Sequence, residues 1–150
     1  MPVPDFDRYG LLPGGVHGCT MEEVEAALAW NEQRRQLTNL LQEFIADELS
    51  TRFAVIPPVV LDGSYVTAKE EPSNINLVLE LRELPDLQKM QAVDLCQRCP
   101  DILLRYRIDL NTALQQSGRD FIAYFSSLDP REAIAMNLFY GHKKGLLRLR

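Results

Sequence analysis

A chain of 150 residues with 46% apolar and 25% charged side chains has the length of one domain. It can bury roughly 70% of its unfolded surface in a single core without disulfides or a metal. A formal net charge of −5 argues against a mainly electrostatic nucleic-acid binder, whose affinity would come from neutralising phosphates with Lys and Arg. No stretch approaches the about 18 consecutive apolar residues of a membrane helix, which argues against a membrane protein. The acidic, proline-containing opening Met1 to Asp7 does not resemble a signal peptide. With Cys19, Cys96 and Cys99 too few and too odd to pair fully, a cytoplasmic protein with reduced thiols is expected.

In chain order, residues 1–19 combine Pro2, Pro4 and Pro13 with Gly10, Gly14, Gly15 and Gly18. They read as an irregular arm held to the domain by Phe6, Tyr9, Leu11, Leu12 and Val16. Thr20 followed by Glu23 has the form of a capping box and predicts a short helix from Met21 to about Ala29. Leu37, Leu40, Leu41, Phe44, Ile45 and Leu49 recur at helical spacing and predict a longer helix over 31–49. Arg34 and Arg35, near its start, read as solvated charges, with phosphate or partner contact as the sharper alternative.

Pro57-Pro58 opens a first strand, Val59 to Leu61, that stops at Gly63. A second strand begins with Asn74-Ile75-Asn76 and ends at Pro85. Asp86 caps a helix from Leu87 to about Arg98, which Pro100 terminates. Arg105 to Leu110 reads as a third strand, with Tyr106, Ile108 and Leu110 inward. Phe121–Phe125 and Ala133–Tyr140 read as helical. The tail from His142 to Arg150 is basic, and Lys143-Lys144 reads as a solvated end before a phosphate site.

The chemistry concentrates around the first two strands. Alternation puts Asn74, Asn76, Val78 and Glu80 on one face of the second strand and Ile75, Leu77, Leu79 and Leu81 on the other. The apolar set covers a core, and the polar set faces a cleft. By itself Gly63-Ser64 is a tight turn of the kind glycine serves. The apolar strand before it and the paired polar residues after it make it a candidate phosphate-holding turn.

An apolar strand ending in Gly-Ser, a spacer, and then a polar-apolar-polar triplet resembles the nucleotidyltransferase signature of the DNA polymerase β superfamily. The Leu12-Pro13-Gly14-Gly15-Val16-His17 opening, the Asp62 to Thr67 turn and the Lys144 to Leu149 ending are similar to the bacterial DUF6932 group. The resemblance implies an α/β (α+β) fold: a small mixed sheet of three to five strands, with helices mainly on one face, in a single domain over 1–150. It implies that Gly63 and Ser64 hold a nucleoside triphosphate. It also implies that positions 74, 76 and 109 ligate magnesium for nucleotidyl transfer. Here the family's Asp-x-Asp triplet is Asn74-Ile75-Asn76, and of the three ligand positions Asp109 alone keeps its carboxylate.

Nucleotidyl transfer rests on positioning and on neutralising phosphoryl charge, usually with two magnesium ions held by anionic oxygens. A carboxamide presents one neutral oxygen to the ion, so an impaired or inactive site on an intact fold is expected. Natural loss and deliberate exchange of the carboxylates both account for the Asn pair, and the undisturbed stretch around it favours natural loss. Two other readings stand beside this one. One is a protein-interaction module of a toxin-antitoxin or phage-defence pair. The other is an enzyme that uses Asp62, Glu80 or Asp109 in a rearranged site. Cys96-Gln97-Arg98-Cys99 needs Cys19 and His17 as a second ligand pair to hold zinc, and plain thiols are the simpler reading.

Overall fold

In a computed structural model, which describes residues 3–81, 85–113 and 144–149, Thr20 closes the expected capping box. Its Oγ accepts from Glu23 N at 3.2 Å, and Glu23 Oε1 accepts from Thr20 N at 3.0 Å. Helix α1 (Met21–Leu28) follows. Asn31 caps α2 (Glu32–Phe44), which continues as a π-helical turn over Ile45–Leu49. Leu37, Leu41, Phe44 and Leu49 are buried, so the predicted apolar stripe does face the core.

Among the described residues five strands form one mixed sheet: β1 (Gly15–Cys19), β2 (Val59–Asp62), β3 (Ile75–Glu80), β4 (Ile108–Ala113) and β5 (Gly145–Leu149). Their order is β1-β5-β2-β3-β4. β2 runs antiparallel to both β5 and β3, while the β1–β5 and β3–β4 pairs are parallel. Helices α3 (Asp86–Cys96) and α4 (Cys99–Tyr106) lie between β3 and β4 in the chain. Buried residues from all four of these helices join one core cluster with Leu61, Ile75, Leu77, Leu79, Ile108, Leu110 and Leu147 of the sheet. Across the sheet, Val60, Val78 and Leu146, with Val16 against them, form a second, smaller cluster. Among the described residues no helix is long and apolar enough to cross a membrane.

The fold departs from expectation in several places; at α3 the departure is small, with Asp86 the first helical residue, Pro85 at the cap position and no side-chain cap. Residues 15–19 of the supposed irregular arm are strand β1, whose partner β5 is the basic tail. Of the arm's glycines, Gly10 (φ 75°) serves a close approach, since a Cβ there would lie 2.9 Å from Ala68 Cβ, and on the partner strand a Cβ on Gly145 would collide with the Pro13 carbonyl. Pro100 opens a helix instead of ending one, since it stands in the first turn of α4, where its missing N–H costs nothing. The third strand therefore starts at Ile108, two residues after Tyr106, whose burial belongs to the Ile102–Tyr106 helical spacing. Arg107 (φ 56°) makes the left-handed turn between them. The predicted helical segments Phe121–Phe125 and Ala133–Tyr140 lie outside the described residues.

Candidate functional site

Period-two alternation in β2 and β3 sends Leu61, Ile75 and Leu77 to the core and Asp62 and Asn76 to the opposite face. The register then lines up three polar side chains. Asp62 pairs with Asn76 across the β2–β3 ladder, and Asn76 pairs with Asp109 across β3–β4. Neighbours in such a row stand about 5 Å apart, so Asp62 and Asp109 are separated by about 10 Å with Asn76 between them. Asn74 sits one residue before β3, outside the ladder, half-buried; the backbone N–H of its neighbour Ile75 donates to Arg107 O at 2.9 Å.

The Gly63-Ser64 turn closes over this row. Gly63 has φ 82° and ψ −167°, a combination essentially confined to glycine. A Cβ there would lie 2.9 Å from Asn76 Nδ2 and 3.0 Å from its Cγ. Turn and triplet thus touch at Gly63 and Asn76. Ser64 begins a 3-10 turn (Ser64–Val66), and its carbonyl accepts from Thr67 N and Thr67 Oγ.

Arg34 holds that turn in place from behind. The side chain is fully buried, and its guanidinium donates to the carbonyls of Leu28, Ser64, Tyr65, Thr67 and Lys69. It also stacks on Trp30 with 3.7 Å to the ring centroid. Burial pushes its pKa down to about 10, so it stays cationic at neutral pH. Thr38 Oγ stands 2.6 Å from Tyr65 Oη and ties the same turn to α2. Both sequence readings of Arg34, solvated charge and phosphate contact, give way to a structural one: it satisfies loop carbonyls that burial would otherwise strand.

One residue that sequence reasoning placed elsewhere joins the site. Lys144 Nζ lies 3.2 Å from Asp62 Oδ1, with the two side chains 13% and 4% exposed, so Lys144 is not a solvated end. At the other end of β5, away from the polar row, Arg148 Nε donates to Glu80 Oε1 at 2.7 Å. A signal for Asp62 existed in its place on the Val60 side of β2. Lys144 carried none, because its partner is brought by sheet closure.

The oxygens of this row suit a divalent cation poorly. Magnesium demands several anionic oxygens in near-octahedral array. Positions 74 and 76 offer neutral amides, and the Asp62 carboxylate is matched by an ammonium. Among the described residues no group of three or more His, Cys, Asp or Glu side chains is clustered for a metal. The thiols cannot build one zinc site with His17. Cys19 is on β1 and Cys99 Sγ lies against Leu110 O of β4, strands at opposite edges of the sheet, about 19 Å apart at about 4.8 Å per strand. A cavity of about 660 Å³ lined by Met21, Gln42, Ile45, Ile56, Pro58 and Leu149 opens at the other end of β2. It is separate from the polar row.

Compared with known proteins, the chain matches the sequence model of a family of unknown function, DUF6932, over residues 4–150. No curated protein and no solved structure matches it.

Proposed function

We propose a function from the site itself, since the chain belongs to the DUF6932 family, whose description assigns none: a nucleotidyltransferase-like domain that binds a nucleoside triphosphate and has lost nucleotidyl transfer. One observation carries the reading. A glycine-only turn at Gly63-Ser64 rests on Asn76, which stands in register between two carboxylates, Asp62 and Asp109. Parent enzymes of this kind would use magnesium to transfer a nucleotidyl group. With amides at 74 and 76, the triphosphate would meet the turn's backbone N–H groups and the Ser64 hydroxyl without the metal that drives turnover.

Restoring the carboxylates tests the reading. Asn74→Asp with Asn76→Asp places two more anions beside Asp109, which repel one another until a cation arrives. The double variant should melt lower than the parent without metal. Magnesium with ATP should then raise its melting temperature, by an amount equivalent to about 2.7 kcal/mol at a hundredfold excess over the dissociation constant. A double variant with no magnesium-dependent shift beyond the parent's removes the nucleotidyltransferase reading.

A second reading, a protein-interaction module of a toxin-antitoxin or phage-defence pair, draws on the outer surfaces of α3 and α4. Leu87, Met90 and Val93 recur at i, i+3 spacing on α3 and are 69%, 67% and 50% exposed, and Leu104 of α4 is 86% exposed, apolar exposure of the sort that marks contact surfaces. Copurification of a partner that Leu87→Glu with Leu104→Glu abolishes, without ATP binding by the protein, would favour it.

A further inference from the structure

We propose that Lys144 supplies, from within the chain, the positive charge that a divalent cation would bring to this site, so that its nucleotide binding is independent of magnesium. The inference rests on the nucleotide-binding reading above and deepens it.

The geometry is specific. Lys144 immediately precedes β5, and its ammonium reaches 3.2 Å from Asp62 Oδ1 at the end of β2, next to the Gly63-Ser64 turn. Both side chains are largely withdrawn from water, where a charge acts more strongly than on the surface. Among the described residues Asp62 Oδ1 has no directed hydrogen bond, so its contact with Lys144 is an ion pair of loose alignment. An ammonium carries three donors, and an unaligned pair leaves them available to a phosphate oxygen. Lysine acts on phosphate as such a point charge.

The surrounding charges agree. Asp62 and Asp109 flank the neutral Asn76 in one row, and Lys144 cancels one of the two. Two carboxylates at 74 and 76 would make the row strongly anionic, closed to a triphosphate without metal. The amides and the lysine together remove that need. The ammonium beside Asp62 also repels any divalent ion from the buried carboxylate the ion would otherwise use. A purely structural role, fastening β5 to β2, predicts an effect on stability and none on the metal dependence of binding.

Calorimetric titration of the full chain with ATP, in EDTA and in excess magnesium, separates these roles. The parent should bind in EDTA, with no tightening on adding magnesium. Lys144→Arg keeps the charge and should bind within about threefold of the parent in EDTA. Lys144→Met is paired with Asp62→Asn, so that no unpaired buried charge unfolds the protein. This double variant should bind ATP about tenfold or more weakly in EDTA, a loss of about 1.4 kcal/mol. Binding that requires magnesium in the parent, or a folded double variant that binds as the parent does, overturns the proposal and leaves the nucleotide reading standing. No ATP binding by the parent in either buffer overturns both.

Discussion

At the scale of single residues, Gly63 and Asn76 set how the turn rests on the polar row. Gly63 occupies a backbone region that costs other residues about 1–3 kcal/mol, and a methyl group there would press on the Asn76 amide. Gly63→Ala should therefore destabilise by about 3 kcal/mol in urea unfolding, strain and overpacking together. In an Asn76→Ala background the same change should cost measurably less, because the steric part disappears while the backbone part persists. Equal costs in the two backgrounds would show that Gly63 and Asn76 are not coupled. Arg34 acts at longer reach. Arg34→Met leaves buried carbonyls of the 64–69 turn without donors, and hydrogen bonds to a charged donor are worth about 1.5–3 kcal/mol each. The expected loss is about 3 kcal/mol or more in urea unfolding, with hydrogen exchange rising first over 64–69. A loss below 1 kcal/mol would reduce Arg34 to a surface charge.

At the scale of elements, the strand made from the basic tail is decisive. β5 lies between β1 and β2 and not at an edge, so its apolar residues are enclosed from both sides. Leu147 is fully buried in the main core. Leu147→Ala should cost about 3 kcal/mol in urea unfolding, within the range of buried Leu truncations. By contrast, the tail read as a solvated basic end would tolerate the change with a cost near zero. The ion pairs Lys144–Asp62 and Arg148–Glu80 join the two ends of β5 to β2 and β3. Through the first of them the tail also contributes charge to the polar row.

At the scale of the molecule, one core cluster runs from α1 through α4 and across the sheet, so the domain should unfold as a unit. The cysteines report on this. Cys19 is fully buried, whereas Cys96 and Cys99 are half-buried, and burial together with the neighbouring Cys99 holds the Cys96 thiol above its ordinary pKa. A thiol reagent should label two cysteines slowly in the native protein. The third should become reactive only with the unfolding transition seen by circular dichroism, and labelling of Cys19 at much lower denaturant would mean that β1 detaches separately.

Much of this architecture was legible in local sequence. The Thr20–Glu23 box, the Leu37–Phe44 stripe, the strand read over Val59–Leu61 and the alternation of Asn76 with Leu77 depend on neighbours a few residues away, and each formed, the strand one residue longer than read. The glycine turn and the facing polar residues of β3 were visible for the same reason, since strand periodicity alone assigns the face. What the local pattern could not contain was the pairing of residues far apart in the chain. Gly15–Cys19 and Gly145–Leu149 look like coil and a charged tail until each supplies the other's backbone partners. Arg34 looks solvated until the 64–69 turn folds over it, and Lys144 looks free until sheet closure sets it against Asp62. Side-chain type and periodicity belong to the sequence, whereas desolvation and ion pairing exist only once distant segments exclude water together. The polar row was therefore open to sequence reading, and its charge balance was decided by tertiary structure.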